Sequence, residues 1–500
     1  MAGSRQRRPW QTEMPRPRWH QEQQAGSSFA ATLIFSLNAG TMVSPITGPL
    51  RLTPETEQPH TTRRSPMAQP TSPVAQRSLT GRISPLLAGA ACLLGANGLA
   101  MTMIAVRARA EGLPDSSIGL LGSLYFAGLI FGVLLTPFLI ARAGHIRVFA
   151  ALASVSAISI LAIAFLPTGW LWMGARLVSG AAFCGTAMVL ESWLNAIASN
   201  ASRGRILSVY RIVDMSAVMG GQFLLPVFGA TGTDILIVLA ILYCLALVPI
   251  SLASEGNPPA PPARLVNPLM LWRVSPVAIV GIFTIGLTNG AFRMVGPVYA
   301  ESIGLDLETV AAFIAFWVLA GALFQYPAGW MSDRVDRRLV LIAFTVAAGL
   351  SCLLIAQAIS ETTLFLGVFL FGGFALPLYS LSAAHANDHA APGQFVDVAA
   401  GLTLSFGCGA MIGPFIASLL MGAFGPAAFF IYTASLHLAL VLFIALRMSR
   451  RGAVPASQRR RFVWLLRTSP MIFRLAGGDR SDDGQDLTES AEEKSGKSTD

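Results

Sequence analysis

Charged and amide side chains interrupt several long apolar stretches of this chain. Asn97, Asn289 and Arg293 each stand within such a stretch, and Arg211 and Asp214 stand three residues apart in another. A charged group at the centre of a bilayer costs about 2.5–3.5 kcal/mol on insertion scales, so it usually faces a cavity or a partner. Guanidinium groups bind anions and carboxylates exchange protons. The set therefore predicts a polar site among apolar helices.

Five residues are candidates to line that site: Asn97, Arg107, Asn289, Arg293 and Gln222. Arg293 has no carboxylate four residues away, so its guanidinium needs an anion from another helix or from a substrate. Asn97 and Asn289 either line a central cavity or form an interhelical hydrogen bond, worth about 0.6 kcal/mol on average. Arg107 stands near the end of its apolar stretch and can also extend to water.

Three residues are candidates for proton coupling: Arg176, Glu191 and Asp214. Asp214 is the best placed carboxylate within an apolar stretch, and Arg211 shares its face of a helix. The pair either exchanges a proton during a functional cycle or only neutralises its own charges. Arg176 is the only basic residue of its apolar stretch, and Glu191 stands near the end of the same stretch.

A shift of 192 residues superposes two parts of the chain. It is the distance from Arg142 to Arg334 (334 − 142 = 192), two arginines that stand in short charged turns between apolar stretches. Further pairs of identical residues superpose at this shift, among them Asn97 and Asn289, Asn195 and Asn387, and Gly221 and Gly413. Polar matches inside apolar stretches rarely arise by chance, so the sequence indicates a duplicated membrane unit.

The composition indicates an integral membrane protein. Hydrophobic residues make up 53% of the chain, charged residues only 12%, and the mean hydropathy is +0.60, whereas soluble proteins contain roughly 25% charged residues. The net charge of +9 comes from arginines in short turns and tails, which argues against a nucleic-acid partner. The 5 cysteines lack metal-ligand spacing, and there is no Gly-x-x-x-x-Gly-Lys-Ser loop. We therefore expect no metal, no cofactor and no ATP hydrolysis.

About twelve apolar stretches have the roughly 20 residues that a helix needs to cross a bilayer. They lie at 84–106, 116–140, 146–167, 170–193, 205–229, 233–253, 277–300, 307–331, 339–359, 361–384, 396–422 and 426–448. The predicted fold class is therefore an all-α polytopic membrane protein with two pseudo-symmetric bundles of six helices.

The predicted domains follow the same order. They are a disordered N-terminal extension, a first bundle, an extended cytoplasmic linker, a second bundle and a largely disordered cytoplasmic tail, at 1–81, 82–253, 254–276, 277–448 and 449–500. The extension is rich in Arg, Pro, Gln, Ser and Thr and cannot form a core. Two alternatives are a true start at Met67 and a weak signal peptide with a short apolar segment.

The placement of arginine predicts the orientation. Loops on one side are rich in arginine and those on the other are acidic; the arginines are Arg82, Arg142, Arg147, Arg203, Arg205, Arg264, Arg273, Arg334, Arg337, Arg338, Arg450 and Arg451. Because arginine is retained on the cytoplasmic side, both termini are expected there. The predicted cytoplasmic gate consists of Arg142, Gly144, Gly329, Asp333, Arg334, Arg337, Arg338, Asn195, His385, Asn387 and Asp388.

An enzyme is not expected from these residues. A membrane enzyme needs a nucleophile, a base or a metal set gathered near one face. His385, Asp388 and His389 are the only such cluster in the sequence, and they lack a nucleophile.

The second charged turn, Gly329-Trp-Met-Ser-Asp333-Arg334-Val-Asp336-Arg337-Arg338, resembles the cytoplasmic loop signature of the major facilitator superfamily, although Asp336 stands where glycine is usual. The first turn keeps Arg142 and Gly144 and has Ala141 in place of the acidic residue. Arg176 with Gly180 resembles the superfamily's helix-4 motif, whose arginine is linked to proton transfer in antiporters. Glu191-Ser-Trp-Leu-Asn195 and the stretch from Leu378 to Asp388 resemble its YcaD-type bacterial branch.

The resemblance implies a secondary active transporter of a small molecule, with or without coupling to protons. Two bundles would rock about a central site, and Asp333 would approach the amino end of the fifth helix near Gly204. The resemblance further implies a bacterial inner-membrane location, contact with the lipid bilayer and a monomer. One alternative is a drug or metabolite efflux antiporter, from whose Gly-Pro motif Gly221-Gln222 departs. The alternative from another class is a sensor that keeps the fold without transport.

Overall fold

The computed structural model describes residues 79–165, 169–199, 202–252, 268–391, 394–450 and 462. Within these ranges every regular element is an α-helix, which confirms the predicted all-α fold class. The helices are α1 Leu79–Ala110, α2 Asp115–Ala143, α3 His145–Phe165, α4 Trp170–Ile197, α5 Arg203–Gln222, α6 Leu224–Phe228, α7 Asp234–Ser251, α8 Pro268–Val274, α9 Pro276–Ser302, α10 Leu307–Arg334, α11 Arg337–Ala356, α12 Glu361–Ala375, α13 Leu378–His389, α14 Phe395–Phe424 and α15 Ala427–Met448.

Eleven helical segments in these ranges are long and apolar enough to cross a membrane. α12 and α13 count as one of them, since only a short break at Pro377 separates them. The span predicted at 205–229 is not among the eleven. Its helix, α5, contains four charged residues and ends at Gln222, just before the short α6. Two of these charges, on Arg211 and Asp214, line the site described below.

The two predicted tails and the linker are only partly described. The extension lies outside the described residues up to 78, and Phe462 is the one described residue of the tail beyond 450. The linker was expected to be extended, and this expectation is wrong for α8. Pro268 begins that helix, where its missing N–H is no loss. Leu271 is buried and packs against Gly401 of α14, which anchors the helix.

Close helix crossings recur at the 192-residue shift. Gly180 on α4 packs against the carbonyl of Tyr125 on α2, and a Cβ at Gly180 would overlap that oxygen. Gly372 on α12 packs in the same way against the carbonyl of Trp317 on α10. Both members of the second pair follow the first by 192 residues (372 − 180 and 317 − 125). Glycine therefore allows the same close backbone approach in each repeat.

A second crossing repeats in the same register. Gly221 on α5 approaches the carbonyl of Gly95 on α1, and a Cβ added at Gly221 would lie 2.8 Å from that oxygen. Gly413 on α14 approaches the carbonyl of Leu287 on α9, again 192 residues later (413 − 221 and 287 − 95). The shift found in the sequence thus relates equivalent helix contacts. We call α1–α7 the first repeat and α9–α15 the second.

The two repeats pack together at one end of the molecule. This far end contains residues 109–115 and 301–306, and the opposite turn end contains residues 142–147 and 333–338. Gly119 of α2 lies against Ser418 of α14, where a Cβ would overlap the serine side chain. Arg109 lies 3.2 Å from Asp115 and 3.9 Å from Glu301 of the second repeat. Small residues and an ion pair therefore hold the repeats together at the far end.

Candidate functional site

A cavity lies between the two repeats and is lined by residues of both. Its volume is about 80 Å³, measured in the same way as the roughly 10–15 Å³ that one water molecule needs. The lining residues are Leu94, Asn97, Met101, Tyr125, Phe126, Leu129, Phe183, Arg211, Asp214, Met215, Val218, Arg293, Trp317, Val318, Leu376 and Phe406. The structure therefore brings three of the predicted site residues, Asn97, Asp214 and Arg293, to one cavity.

An ion pair on α5 forms one wall of the cavity. Arg211 Nη1 donates to Asp214 Oδ2 at 2.9 Å, and both residues are buried. The two residues are three apart, so the helix alone brings their side chains to one face. The first repeat thus supplies charges that largely neutralise each other.

Arg293 of α9 faces the same cavity without such a partner. No carboxylate of the described residues lies within ion-pair distance of its guanidinium, whose Cζ is 5.8 Å from the centre of the Trp317 ring. The face of an indole attracts a cation at this distance, but it does not neutralise the charge. The second repeat therefore supplies a positive group that has no ion-pair partner among the described residues.

A short polar chain runs from the cavity into the first repeat. Tyr125 donates its hydroxyl to Asn97 Oδ1 at 2.7 Å. Arg176 lies behind the tyrosine, with Cζ 4.4 Å from the ring centre, and its Nη2 is 2.8 Å from Met101 Sδ. Arg176 itself is buried and is not among the lining residues. Its charge is therefore separated from the cavity by one ring.

Sequence reasoning did not single out Tyr125 and Trp317. An aromatic residue in an apolar stretch carries no signal of its own, because core packing explains it equally well. A signal was nevertheless available, since the two residues are related by the repeat (317 − 125 = 192). Each of them carries a guanidinium beside its ring, Arg176 in the first repeat and Arg293 in the second.

Three predicted cavity residues lie elsewhere. Arg107 donates to the carbonyl of Gly232 at 2.8 Å and lies 3.7 Å from Glu111, so it ties the far end of α1 to the loop before α7. Gln222 is buried and donates to the carbonyl of Val218 at 3.3 Å. Asn289 is fully buried, and neither polar atom of its side chain has a hydrogen-bond partner within the described ranges.

Glu191 also lies away from the cavity. Its side chain is fully buried near the end of α4 and accepts a hydrogen bond from Tyr210 of α5 at 3.4 Å. The three candidates for proton coupling therefore do not form one cluster: Asp214 lines the cavity, Arg176 lies behind Tyr125, and Glu191 links α4 to α5 nearer the turn end.

The predicted gate residues of the second repeat form a charge network. Arg337 lies 3.0 Å from Asp388 and 3.6 Å from Asp333, and the Arg337 and Asp388 side chains are only 2% exposed. Arg338 pairs with Asp336 at 2.9 Å, while His385 is buried with its ring centre 4.6 Å from that of His389. The start of α11 is thereby tied to the end of α13.

The remaining gate residues lie around this network. Arg334 is exposed and lies over the Trp330 ring, and Arg142 is exposed in the first turn. Gly144 has a positive φ of 80° and ends α2 by donating to the carbonyl of Ile140, a conformation that favours glycine. Asn195 and Asn387, at equivalent positions, each have a buried amide oxygen without a donor in the described part of the chain.

Asp333 contacts the C-terminal tail. Its Oδ1 accepts the backbone N–H of Phe462 at 2.9 Å. The Phe462 ring packs on Gly329, which lies one turn earlier in α10. A Cβ added at Gly329 would lie 2.5 Å from the ring. The Asp333 carboxylate was expected near Gly204 instead, yet no atom of the described residues outside the helix itself lies within 4 Å of a Cβ added at Gly204. In this structure the Asp333 carboxylate is therefore bonded to the backbone of the tail residue Phe462.

Among the described residues, no three His, Cys, Asp or Glu side chains come together as a metal site would require. His385 and His389 stack on one another, and Asp388 is engaged by Arg337.

Comparisons with known proteins bear on what this arrangement does. The family model of the Major Facilitator Superfamily matches residues 86–322 and 278–478. The uncharacterized MFS-type transporter YcaD of Escherichia fergusonii is 26% identical over 377 residues, covering 74% of this chain and 97% of its own length. YcaD of Salmonella typhimurium is 26% identical over 372 residues, covering 74% and 95%. The predicted resemblance to the YcaD-type branch is thereby confirmed.

Solved structures share the fold. The nucleoside transporter NupG superposes with a TM-score of 0.62 at 16% identity, covering 75% of this chain and 100% of its own. The human organic anion transporter MFSD10 superposes with a TM-score of 0.55 at 16% identity, covering 74% and 100%. At such identities the likeness establishes the fold alone.

Proposed function

The chain belongs to the Major Facilitator Superfamily, and we propose that its central cavity is the substrate site of a secondary transporter that works by alternating access. It is a multi-pass membrane protein of a transporter family, and not an enzyme. What we add as a proposal is the location of the site, the rocking of the two repeats and the orientation. The arginine-rich turn end would face the cytoplasm.

One observation carries the proposal: both repeats contribute charged groups to one cavity. Arg211 and Asp214 come from the first repeat and Arg293 from the second. A ligand that contacts all three would stabilise a particular relative position of the repeats. Coupling between binding and movement follows, because a ligand shifts a conformational equilibrium only through different contacts in the two states.

The far-end contacts are the ones that would have to open. Gly119 lies against Ser418, and Arg109 bridges to Glu301 across the repeats. The ion pair is about one-third exposed on the arginine side, and exposed pairs of this kind contribute little, about 0–1 kcal/mol. The ion pair would therefore add little to the free energy needed to separate the repeats at this end.

Cysteine labelling tests alternating access without knowledge of the substrate. In a background with the five cysteines replaced, Val218→Cys places a thiol in the cavity wall. We expect a membrane-impermeant maleimide to label it in right-side-out and in inside-out vesicles. A disulfide between Asp115→Cys and Gly422→Cys, whose Cβ atoms would lie 3.5 Å apart across the repeats, would then abolish labelling through the far end and leave labelling through the turn end.

The control is the same pair of cysteines after reduction, which should restore labelling from both faces. Labelling from one face only, with and without reduction, would contradict alternating access. It would favour the alternative of a sensor that keeps the fold without transport. Tracer flux into proteoliposomes, once a ligand is known, separates the sensor from the transporter directly.

Proton coupling is the finer part of the proposal, and Asp214 is the group assigned to it. Asp214 is the only carboxylate among the residues lining the cavity. Protonation would release Arg211 from its 2.9 Å contact and free a guanidinium for substrate. We expect Asp214→Asn to abolish the response of flux to a pH gradient while substrate binding persists. Flux that ignores the gradient in the unmodified protein would remove the coupling altogether.

A further inference from the structure

We infer that the substrate is a small organic anion with an apolar body, held through a carboxylate by Arg293. The inference rests on the proposed function, since it names the chemical class that the proposed transport site accepts. It is carried by three properties of the cavity: its charge, its unused hydrogen-bond donors and its apolar wall.

The cavity carries more positive than negative charge. Arg211 and Asp214 compensate each other at 2.9 Å, which leaves the guanidinium of Arg293. Arg176 adds a second positive charge directly behind Tyr125, and its described contacts are an aromatic ring and a thioether. A cation inside protein needs a counter-charge or hydrogen bonds to offset its lost hydration. A bound anion would supply that counter-charge.

The unused polar groups of the wall are donors. Trp317 lines the cavity, and its indole Nε1 is buried without an acceptor in the described part of the chain. Indole and guanidinium groups donate hydrogen bonds and cannot accept them. Asn97 already accepts from Tyr125 through its amide oxygen, so the N–H groups of its amide remain for a ligand. These groups together favour a ligand rich in acceptors, as a carboxylate is.

The rest of the wall is apolar. Apart from Asn97, Tyr125, Arg211, Asp214, Arg293 and the indole N–H of Trp317, the sixteen lining residues offer only apolar side chains. Aromatic faces come from both repeats, with Phe126 and Phe183 in the first and Phe406 in the second. A sugar or another highly hydroxylated body would leave its hydroxyl groups unpaired against this wall, which is unfavourable. An aliphatic or aromatic body has no hydroxyl groups to leave unpaired and can pack against this apolar wall.

Ligands with the same body and different charge separate the contribution of the charge to binding from that of the apolar body. The probes are monocarboxylates with phenyl, indole and short alkyl bodies, each compared with its own neutral amide and with the amine of the same body. Binding to the purified full chain is measured by isothermal titration and by thermal stabilisation, which reports binding by mass action. We expect at least one carboxylate to bind about tenfold or more tightly than its amide, as charged hydrogen bonds predict, and the amines to bind weakest.

Variants place the effect at Arg293. Arg293→Ala should weaken carboxylate binding by about tenfold or more and leave amide binding nearly unchanged. Arg293→Lys, which keeps the charge without the planar fork, should retain part of the preference. Arg147→Ala removes an exposed arginine from the turn end and should change nothing. Elution of each variant as a single species from size exclusion shows that it has folded.

The outcomes distinguish this inference from the proposed function. Carboxylates that bind no better than their amides, or a preference that survives Arg293→Ala, would overturn the anion assignment. Tight binding of the amines with transport of them would do the same and would support the efflux alternative. Carboxylate binding through Arg293 without flux in proteoliposomes would uphold the ligand class and refute transport.

Discussion

The two repeats use one equivalent position at the turn end for different chemistry. His145, at the start of α3, is bonded to Ser192 of α4 at 3.0 Å. Arg337, at the start of α11 and 192 residues later (337 − 145), pairs with Asp388 of α13 at 3.0 Å. Each contact ties the helix after the turn to the next membrane span, which is α4 in the first repeat and the single span of α12 and α13 in the second. The first is a neutral hydrogen bond and the second a buried ion pair. The helix start that makes the contact is equivalent in the two repeats, whereas the partner has moved by one helical turn, since Ser192 corresponds to Ala384 (384 − 192 = 192).

The turns themselves differ in the same way. Two residues of the second turn contact the tail residue Phe462. The Phe462 ring packs on the backbone of Gly329, and the Asp333 carboxylate accepts the Phe462 N–H. The equivalent residues of the first turn are Pro137 and Ala141 (329 − 137 = 192 and 333 − 141 = 192). Proline adds a ring where Phe462 would pack, and alanine offers no acceptor. The second turn can therefore hold the tail residue and the first cannot.

The largest effect on stability is expected when one partner of each turn-end contact is removed. Arg337→Ala leaves the buried Asp388 without its closest cation, and breaking a buried ion pair costs about 3–5 kcal/mol. His145→Ala removes a neutral hydrogen bond, whose net contribution is about 0.5–1.5 kcal/mol. We expect reversible unfolding in mixed micelles to show the larger loss of stability for Arg337→Ala.

A double replacement serves as the control for the ion pair. Arg337→Leu with Asp388→Leu removes both charges, and apolar replacement of a buried pair is often neutral or stabilising. We expect the double variant to recover most of the stability that Arg337→Ala loses. Equal losses for Arg337→Ala and His145→Ala would show that the two contacts are energetically alike and would end the comparison.

Much of this architecture could be predicted from the sequence. The length of apolar runs predicts most spans, because a bilayer demands about 20 residues of each. The repeat follows from residue matches, and the structure places equivalent helix crossings at Gly180 and Gly372. The Arg211–Asp214 contact follows from spacing alone, since a helix brings residues three apart to one face.

The lining of the cavity could not be predicted to the same extent. Asn97 and Asn289 are equivalent in sequence, yet Asn97 lines the cavity and Asn289 is fully buried outside it. A membrane helix is apolar all round, so its hydrophobic pattern does not reveal which face points inward. Tyr125 and Trp317 looked like core residues for the same reason. The tail contact of Phe462 depends on a fold that brings residues 129 apart together.

The next largest effect concerns these two asparagines. Asn97→Ala leaves the buried Tyr125 hydroxyl without the acceptor that it has at 2.7 Å. Asn289→Ala removes two polar atoms that have no partner among the described residues. An orphaned buried polar group costs about 1–3 kcal/mol, so Asn97→Ala should be less stable than Asn289→Ala by about that amount. Because both replacements delete the same atoms, the cavity that each leaves largely cancels.

Unfolding of the two variants in the same mixed micelles gives the measurement. Tyr125→Phe with Asn97→Ala is the control, since it removes both partners and should be nearly as stable as Tyr125→Phe alone. Equal stability of the two asparagine variants would show that Asn289 has gained a partner, and the equivalence of the repeats would then extend to this position.

A smaller effect is expected at the tail contact. Asp333→Ala removes the acceptor of the Phe462 N–H, and a hydrogen bond contributes about 1 kcal/mol, so amide exchange there should rise roughly fivefold. Gly329→Ala adds a methyl group against the Phe462 ring and should act in the same direction. Hydrogen–deuterium exchange of the peptide containing Phe462 gives the rate. Ala141→Ser, at the first-turn position equivalent to Asp333, should leave this rate unchanged, and a similar rise there would contradict the specificity of the second turn.

The smallest effect compares two helix starts, one in each repeat, that are not related by the 192-residue shift. Ser360 caps α12 by accepting the Thr363 N–H at 3.3 Å, whereas Thr233 precedes α7 without a side-chain cap bond. Loss of a serine cap costs about 0.5–2 kcal/mol, and the exposed position of Ser360 favours the lower part of that range. Ser360→Ala should therefore destabilise the protein by about 0.5–1 kcal/mol and Thr233→Ala by less, as measured by thermal unfolding. Ser360→Asp keeps an acceptor at the cap and adds a charge that the helix dipole favours, so it should restore stability. A loss from Thr233→Ala as large as that from Ser360→Ala would show that Thr233 caps α7 as well.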